Sequence, residues 1–414
     1  MIKKVYVIVY IVIAAIFLGW GDKILPSRNE ISKLELSRVV GYDMSDEEGA
    51  RAGFSLVVDS DEGELNGSGA GGDSGGTSGG SQKKEKVVSV SADTFVMCFR
   101  ALQGYRDKTL ITGHIKNILI GEEAARTGII EELDSAARNY DLRFDTNVYL
   151  VKDSSAKEFL KTGTEVLPSM EEGIENLMTT MRGNAGVGDY ELVDILKMVT
   201  SEKKNGLIPA LQMVKKEDRL KAWEIESTEE EARSERMEIA GFGIIKDAKL
   251  IDYLTEAEFG GFNVMNENYT GFVIELQSGD EIIGVGLSDI KVKRNFVFDD
   301  IKVKEIQVDI EIEGDITEVS TGRNIFQSGL EFYEQQASDM IKAYVTTSVK
   351  KSQETNVDFL RFEKALKIQH PYRYEKMKDT FSDDFQSLPV TVNVKTTLNK
   401  TFGMFSVIGE KRER

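Results

Sequence analysis

Cysteine and histidine are nearly absent from this chain of 414 residues, which has one Cys (Cys98) and two His (His114 and His370). A single thiol excludes any intramolecular disulfide. In the stretch TFVMCFRAL, Cys98 reads as a small apolar residue on a buried helix face. With no H-x-x-x-H and no C-x-x-C spacing, a clustered His/Cys metal site is excluded. His114 follows Gly113 at the start of a strand and reads as a packed or hydrogen-bonded strand-end residue. His370 precedes Pro371 in a loop. G-x-S-x-G and P-loop patterns are absent too. The sequence therefore offers no catalytic residue, no cofactor-binding residue and no metal ligand set, and it does not read as an enzyme.

Basic charge is also in short supply: 52 Lys and Arg against 70 Asp and Glu give a net charge of −18. Such a surface repels phosphate backbones and anionic headgroups, so nucleic acid is excluded as a partner class. Acidic clusters such as STEEEARSE (Ser227–Glu235) read as solvated helix faces. Asn268, in NYT, fits a glycosylation acceptor only as a short pattern.

What is present first is an uncharged run, Val5–Leu18, preceded by Lys3 and Lys4 and followed by Asp22 and Lys23. As a helix that run measures roughly 21 Å against a hydrocarbon core of ~30 Å, and Ile2 to Trp20 roughly 28 Å. The lysines fit the n-region of an export signal, or the cytoplasmic flank of a spanning helix. No A-x-A cleavage pattern follows. Retention and cleavage of this segment stay open, and either places the body of the chain outside the cytoplasm.

Residues 62–86 are a low-complexity Gly/Ser and charged insertion that cannot build a core. Its GSGAGG formally matches a dinucleotide fingerprint, with strand-like Phe54–Val58 upstream. The helix that would aim its N-terminus at a pyrophosphate is missing. Beyond the insertion, Phe95, Cys98, Phe99 and Leu102 fall at helical spacing. Ile115 and Ile118–Ile120 read as a buried strand, then helices broken near Gly128, a strand over Thr146–Asp153 and a Ser-capped helix. Two more helical stretches follow Pro168. A middle block reads strand, strand, a Lys246-Asp247-Ala248 turn, strand and short helix. The last block has two alternating strands with an apolar phase slip at Glu305–Ile306. A long helix follows, with a stripe of Leu330, Tyr333, Ala337, Ile341, Tyr344 and Val349, then a short helix around HPYRYEKMKDTF and a closing strand. The expected class is α+β: three consecutive domains, each a mainly antiparallel or mixed sheet with packed helices, after an N-terminal targeting helix. The expected divisions are 1–24 (signal or anchor), 25–200, 201–290 and 291–414.

The segment GHIKNILIGEEAARTGIIEELDSAARN resembles the C subunits of bacterial spore germinant receptors, the Ger(x)C or GerAC-type lipoproteins. Gly113, His114, Ile120, Gly121, Glu122, Ala125 and Gly128 fall on that pattern. The resemblance continues through IAGFGIIKDAKLIDYLTEAE, IKVKEIQVDIEIEGDITEV, the long helix, Asp358-Phe359 and HPYRYEKMKDTFSDDFQSLPVTVNVKTTLNKTFG. Phe381 stands where many relatives have Trp. Relatives carry a lipobox ending Gly-Cys-Trp-Asp, whereas this chain has Gly19-Trp20-Gly21-Asp22. No thiol is present for lipidation, so the N-terminal helix is the expected anchor.

The resemblance implies a non-enzymatic, outward-facing subunit at the spore inner membrane. Its implied partners are a multispanning B subunit and an A subunit with membrane and soluble parts, and its role is in nutrient-triggered germination. The sequence points to no small-molecule ligand. The alternative is an exported solute-binding or cell-envelope protein, which tight binding of an amino acid or sugar would favour.

Overall fold

The structure, a computed structural model, describes residues 34–45, 47, 49–59, 85–139, 141–185, 190–215, 235–267, 273–278, 281–319 and 330–399. The N-terminal apolar run, the GSGAGG stretch, Asn268 and nearly all of Ser227–Glu235 lie outside these residues. Among the described residues no helix is long and apolar enough to cross a membrane.

Three runs, NILI, NVYLV and GLIPALQMVK, carry no spacing that would leave one face wet; the first two are buried almost throughout and the third over Leu207–Leu211. They form β5 (Asn117–Ile120), β6 (Asn147–Val151) and β7 (Gly206–Lys215), parallel to one another and to β1 (Leu34–Met44). A parallel sheet covered by helices on both faces explains such continuous apolarity. Side chains divide by the period of two: Leu119, Tyr149 and Val151 face one layer, and Ile118, Ile120, Val148 and Leu150 the other.

The first layer is built by α4 (Ala156–Val166) and α5 (Met170–Ala185), through Phe159, Leu160, Met170 and Ile174. The second comes from α1 (Phe95–Tyr105), α2 (Glu122–Thr127), α3 (Ile130–Arg138) and α6 (Leu192–Thr200). Phe95, Cys98 and Leu102 of α1 and Ile195 and Val199 of α6 are buried there. Cys98 is fully buried, as its apolar setting in sequence implies. The α2–α3 break falls at Gly128, whose φ of +149° only glycine adopts readily.

Antiparallel strands complete both edges. β2 (Ala52–Asp59) and β3 (Glu85–Ala92) extend the sheet beyond β1, while β8 (Glu235–Lys246) and β9 (Lys249–Tyr253) extend it beyond β7. The short β4 (Thr109–Ile111) pairs with the first residues of β1. The result is a nine-stranded sheet of order β3-β2-β1-β5-β6-β7-β8-β9 with β4 beside β1. The residues expected as a middle block, 201–290, thus divide between two sheets.

The second sheet has order β10-β11-β12-β13, from Val273–Ser278, Glu281–Asp299, Lys302–Val319 and Val390–Asn399. β12 and β13 are parallel and the other pairs antiparallel. The expected slip is a bulge at Lys304: Val297 pairs with Glu305 and Phe298 with Val303. Between β9 and β10 lies α7 (Glu256–Met265), with a Thr255/Glu258 capping box. Between β12 and β13 lie α8 (Leu330–Thr355), α9 (Phe362–Gln369) and α10 (Pro371–Phe385). The buried stripe of α8 contains Tyr333, Ala337, Ile341 and Val349 as expected, with Val345 in place of Tyr344.

The class is α+β, with two sheets and ten helices among the described residues. The sheets share one core. Phe242 of β8 lies 5.2 Å from Tyr190 and 5.5 Å from Phe262 of α7, which in turn lies 6.3 Å from Phe359 beyond α8.

Candidate functional site

The motif residues separate along the short strand β5. Gly113 and His114 form the turn entering it, Ile120, Gly121 and Glu122 leave it, and Gly128 closes α2. His114 is exposed, in place of the packed strand-end histidine expected. A Cβ on Gly113 would lie 3.3 Å from the Asp141 carbonyl oxygen. His370, between α9 and α10, sets its ring edge-on to Phe298 at 4.8 Å.

The exit of β5 is where residues from distant segments converge, at the carboxyl ends of β1, β5 and β6. In open α/β sheets this edge is where functional groups gather. Gly121 donates its N–H to the Tyr42 carbonyl at 2.9 Å. A Cβ at Gly121 would stand 2.1 Å from Asp43 Oδ1 and 3.0 Å from the Ala156 nitrogen, so only glycine fits. Asp43, at the end of β1, accepts the N–H groups of Ala156 at 2.7 Å and Lys157 at 2.8 Å. Ser155 accepts that of Glu158 at 3.1 Å. The start of α4 is thus capped twice, once locally and once from 113 residues upstream.

Glu122 opens α2, where the helix dipole favours a carboxylate. It accepts the Asp153 N–H at 2.5 Å and two Arg126 hydrogen bonds, at 2.6 and 2.9 Å. Burial opposes its charge, but the Asp153 amide and the Arg126 guanidinium outweigh that, holding the carboxyl below its ordinary range. Beside it, burial and the Glu122 carboxylate push the Tyr253 phenol far above its usual value.

The same network reaches the second half of the chain. Arg126 donates to the Ile251 carbonyl at 3.5 Å, and Lys351 of α8 meets Asp252 of β9 at 2.5 Å. Asp252 resists burial through Lys351 and the Tyr253 N–H, which hold its carboxyl low.

The cleft over this junction has a volume of about 370 Å³ and is lined by Asp43, Met44, Glu122, Glu123, Arg126, Asp153, Ser154 and Ser155. Its central carboxylates are engaged by backbone amides and a guanidinium, which suits them to holding α2, α4 and β9 in register. No group of three His, Cys, Asp or Glu that could hold a metal occurs among the described residues. Sequence reasoning found Gly121 and Glu122 but missed Asp43, Tyr253 and Lys351. Their pairings are long-range, and only the Ser155 cap carries a local signal.

Residues 27–213 match the family described as "Spore germination protein N-terminal domain", and residues 240–401 that described as "Spore germination B3/ GerAC like, C-terminal". The chain is similar to spore germination protein KC of Bacillus subtilis (strain 168), with 21% identity over 413 residues and 97% of each chain covered. It is also similar to spore germination protein YndF of the same organism, with 22% identity over 328 residues, 77% of this chain and 75% of the relative. Among solved structures, the crystal structure of the GerBC protein shares the fold, with a TM-score of 0.50 at 16% identity over 87% of this chain and 98% of that one. With family matches over both halves and a relative matched end to end, the chain belongs to the GerAC-type, or Ger(x)C, spore germination family.

Proposed function

We propose that this protein is the C subunit of a spore germinant receptor, needed for nutrient-triggered germination and acting without catalysis through protein–protein contacts. Its partners in this reading are the A and B membrane subunits. Its place is the outer face of the spore inner membrane, held there by the N-terminal helix in the absence of a lipobox cysteine. The observation that carries the reading is that family similarity runs through both halves of the chain, 27–213 and 240–401. The motif residues support it: Gly121 and Glu122 are spent on positioning α2 and α4.

The test is deletion of the gene followed by germinant challenge of purified spores. Loss of the response to at least one germinant, restored by complementation, is the expected result. Unchanged germination in a strain with no second C subunit refutes it. The anchor is tested separately by the mass of the mature protein in spore membranes: a start at Met1 or Ile2 supports retention, and a start beyond Trp20 refutes it.

A further inference from the structure

The chain is strongly acidic, yet one projecting corner has the opposite sign. Where α9 meets α10, Lys364, Lys367, Arg373 and Lys376 are all exposed, around Ile368 (70% exposed) and Tyr372 (73% exposed). Exposed apolar residues scattered singly need no explanation, but two at one helix junction that also carries four exposed cations do.

The cations are not consumed by carboxylates. Lys376 lies over the Tyr372 ring at 4.5 Å, Lys367 over Tyr374 at 5.8 Å, and the Arg373 guanidinium over Phe298 at 4.0 Å. Among the described residues none of these four basic side chains forms an ion pair. The acidic neighbours are occupied: Glu363 by Lys203 and the Tyr374 hydroxyl, and Glu375 by Lys378. The remaining acidic groups close by are Glu202, which lines a cleft with Lys364 and Lys367, Asp379, three residues after Lys376, and Asp299 and Asp300 in the turn after Phe298.

We propose that this corner docks on an anionic lipid surface, with Ile368 and Tyr372 entering the headgroup region and the four cations meeting lipid phosphates. The chemistry fits a bilayer better than an acidic protein. The apolar tips project, the long basic stems can lie along the interface, and tyrosine favours the boundary between water and acyl chains.

Topology places the corner at the end of the first sheet where β1 begins. β1, β5, β6 and β7 are parallel, so Leu34 and Gly206 lie at the same end of the sheet. Lys203, just before Gly206, pairs with Glu363 in the first turn of α9 at 2.7 Å. Residues 19–33, between the uncharged run and β1, reach at most ~50 Å. The inference rests on the membrane location proposed above for its occupant, but its test does not depend on the germination phenotype.

The probe is the full chain carrying Ile368→Cys in a Cys98→Ser background, labelled with an environment-sensitive dye. It is incorporated into phosphatidylcholine vesicles with or without phosphatidylglycerol. A dye at residue 368 reports the corner itself, whatever the N-terminal segment does. The expected result is a blue shift only when phosphatidylglycerol is present, reversed by high salt. Each basic side chain held at an anionic surface is worth roughly a factor of five, so Lys364→Gln with Lys367→Gln lowers the docking constant roughly 25-fold. Both lysines are exposed, and an unchanged thermal melt shows that the double variant folds. A dye silent on phosphatidylglycerol overturns the proposal and leaves the corner to an acidic protein. An equal response on both vesicles, or one indifferent to the double substitution, also overturns it.

Discussion

Glu132 gives the sharpest quantitative test of the fold. It lies in the first turn of α3, only 3% exposed, and its Oε2 is buried without a hydrogen-bond partner among the described residues. Burial, reinforced by the charge of Glu131 and opposed by the residue's own amide, pushes its carboxyl up to about 7 from an ordinary 4.5. The native protein therefore keeps a proton that the unfolded chain releases as pH rises between those values. Stability falls across that window, fully present below about 4.5 and lost by the time pH passes 7. The difference amounts to about 3 kcal/mol. Glu132→Gln keeps the shape and removes the charge. In urea unfolding of the full chain, followed by circular dichroism in one detergent, the variant should match the parent near pH 5. It should exceed the parent by up to about 3 kcal/mol near pH 8. Comparing the two cancels the titration of the other carboxylates. A variant–parent difference that is the same at both pH values refutes the argument.

Three further outcomes are expected. Gly121→Ala drives a methyl into Asp43 Oδ1 and disturbs the double cap of α4, and should destabilise by about 3 kcal/mol in the same unfolding assay. Gly261→Ala places a Cβ 2.3 Å from the Tyr344 carbonyl oxygen, where α7 crosses α8, and should lower the melting temperature by several degrees, as expected for about 2 kcal/mol. Phe381, 2% exposed in α10, borders a cleft of about 410 Å³ that also touches Phe385 and Ser382. Phe381→Trp should therefore fold with a melt within about 1 kcal/mol of the parent.

The elements legible in the sequence are those written locally. NILI and NVYLV declare strands buried on both faces, Gly128 declares the α2–α3 break, and Ser155 declares a cap, because each signal spans a few residues. β1 went unread although it is central: LELSRVVGYDM alternates only in its first half and is buried continuously through Val39–Asp43. Its second half takes that pattern from lying between β2 and β5, the latter 78 residues away (Val39 pairs with Asn117). The same blindness explains the division of 201–290. β7 resembles any apolar strand, and only its parallel pairing of Ala210 with Leu150 assigns it to the first sheet. Periodicity tells which face is buried, not which strand lies alongside.

That distinction also bears on what the motif means. Gly121 is required because Asp43 and Ala156 crowd it, and Glu122 because the Asp153 amide and Arg126 need an acceptor at that spot. Neither residue faces outward with unused valence. A mutation there should thus weaken every activity of the protein together by loosening α2, α4 and β9, through which Lys351 and Asp252 tie the two sheets. A mutation on the α9–α10 corner should leave the melt intact and alter one contact alone. Where function is carried by surfaces, the residues that hold the fold and the residues that make its contacts lie at different places. Stability measured alongside each phenotype separates the two.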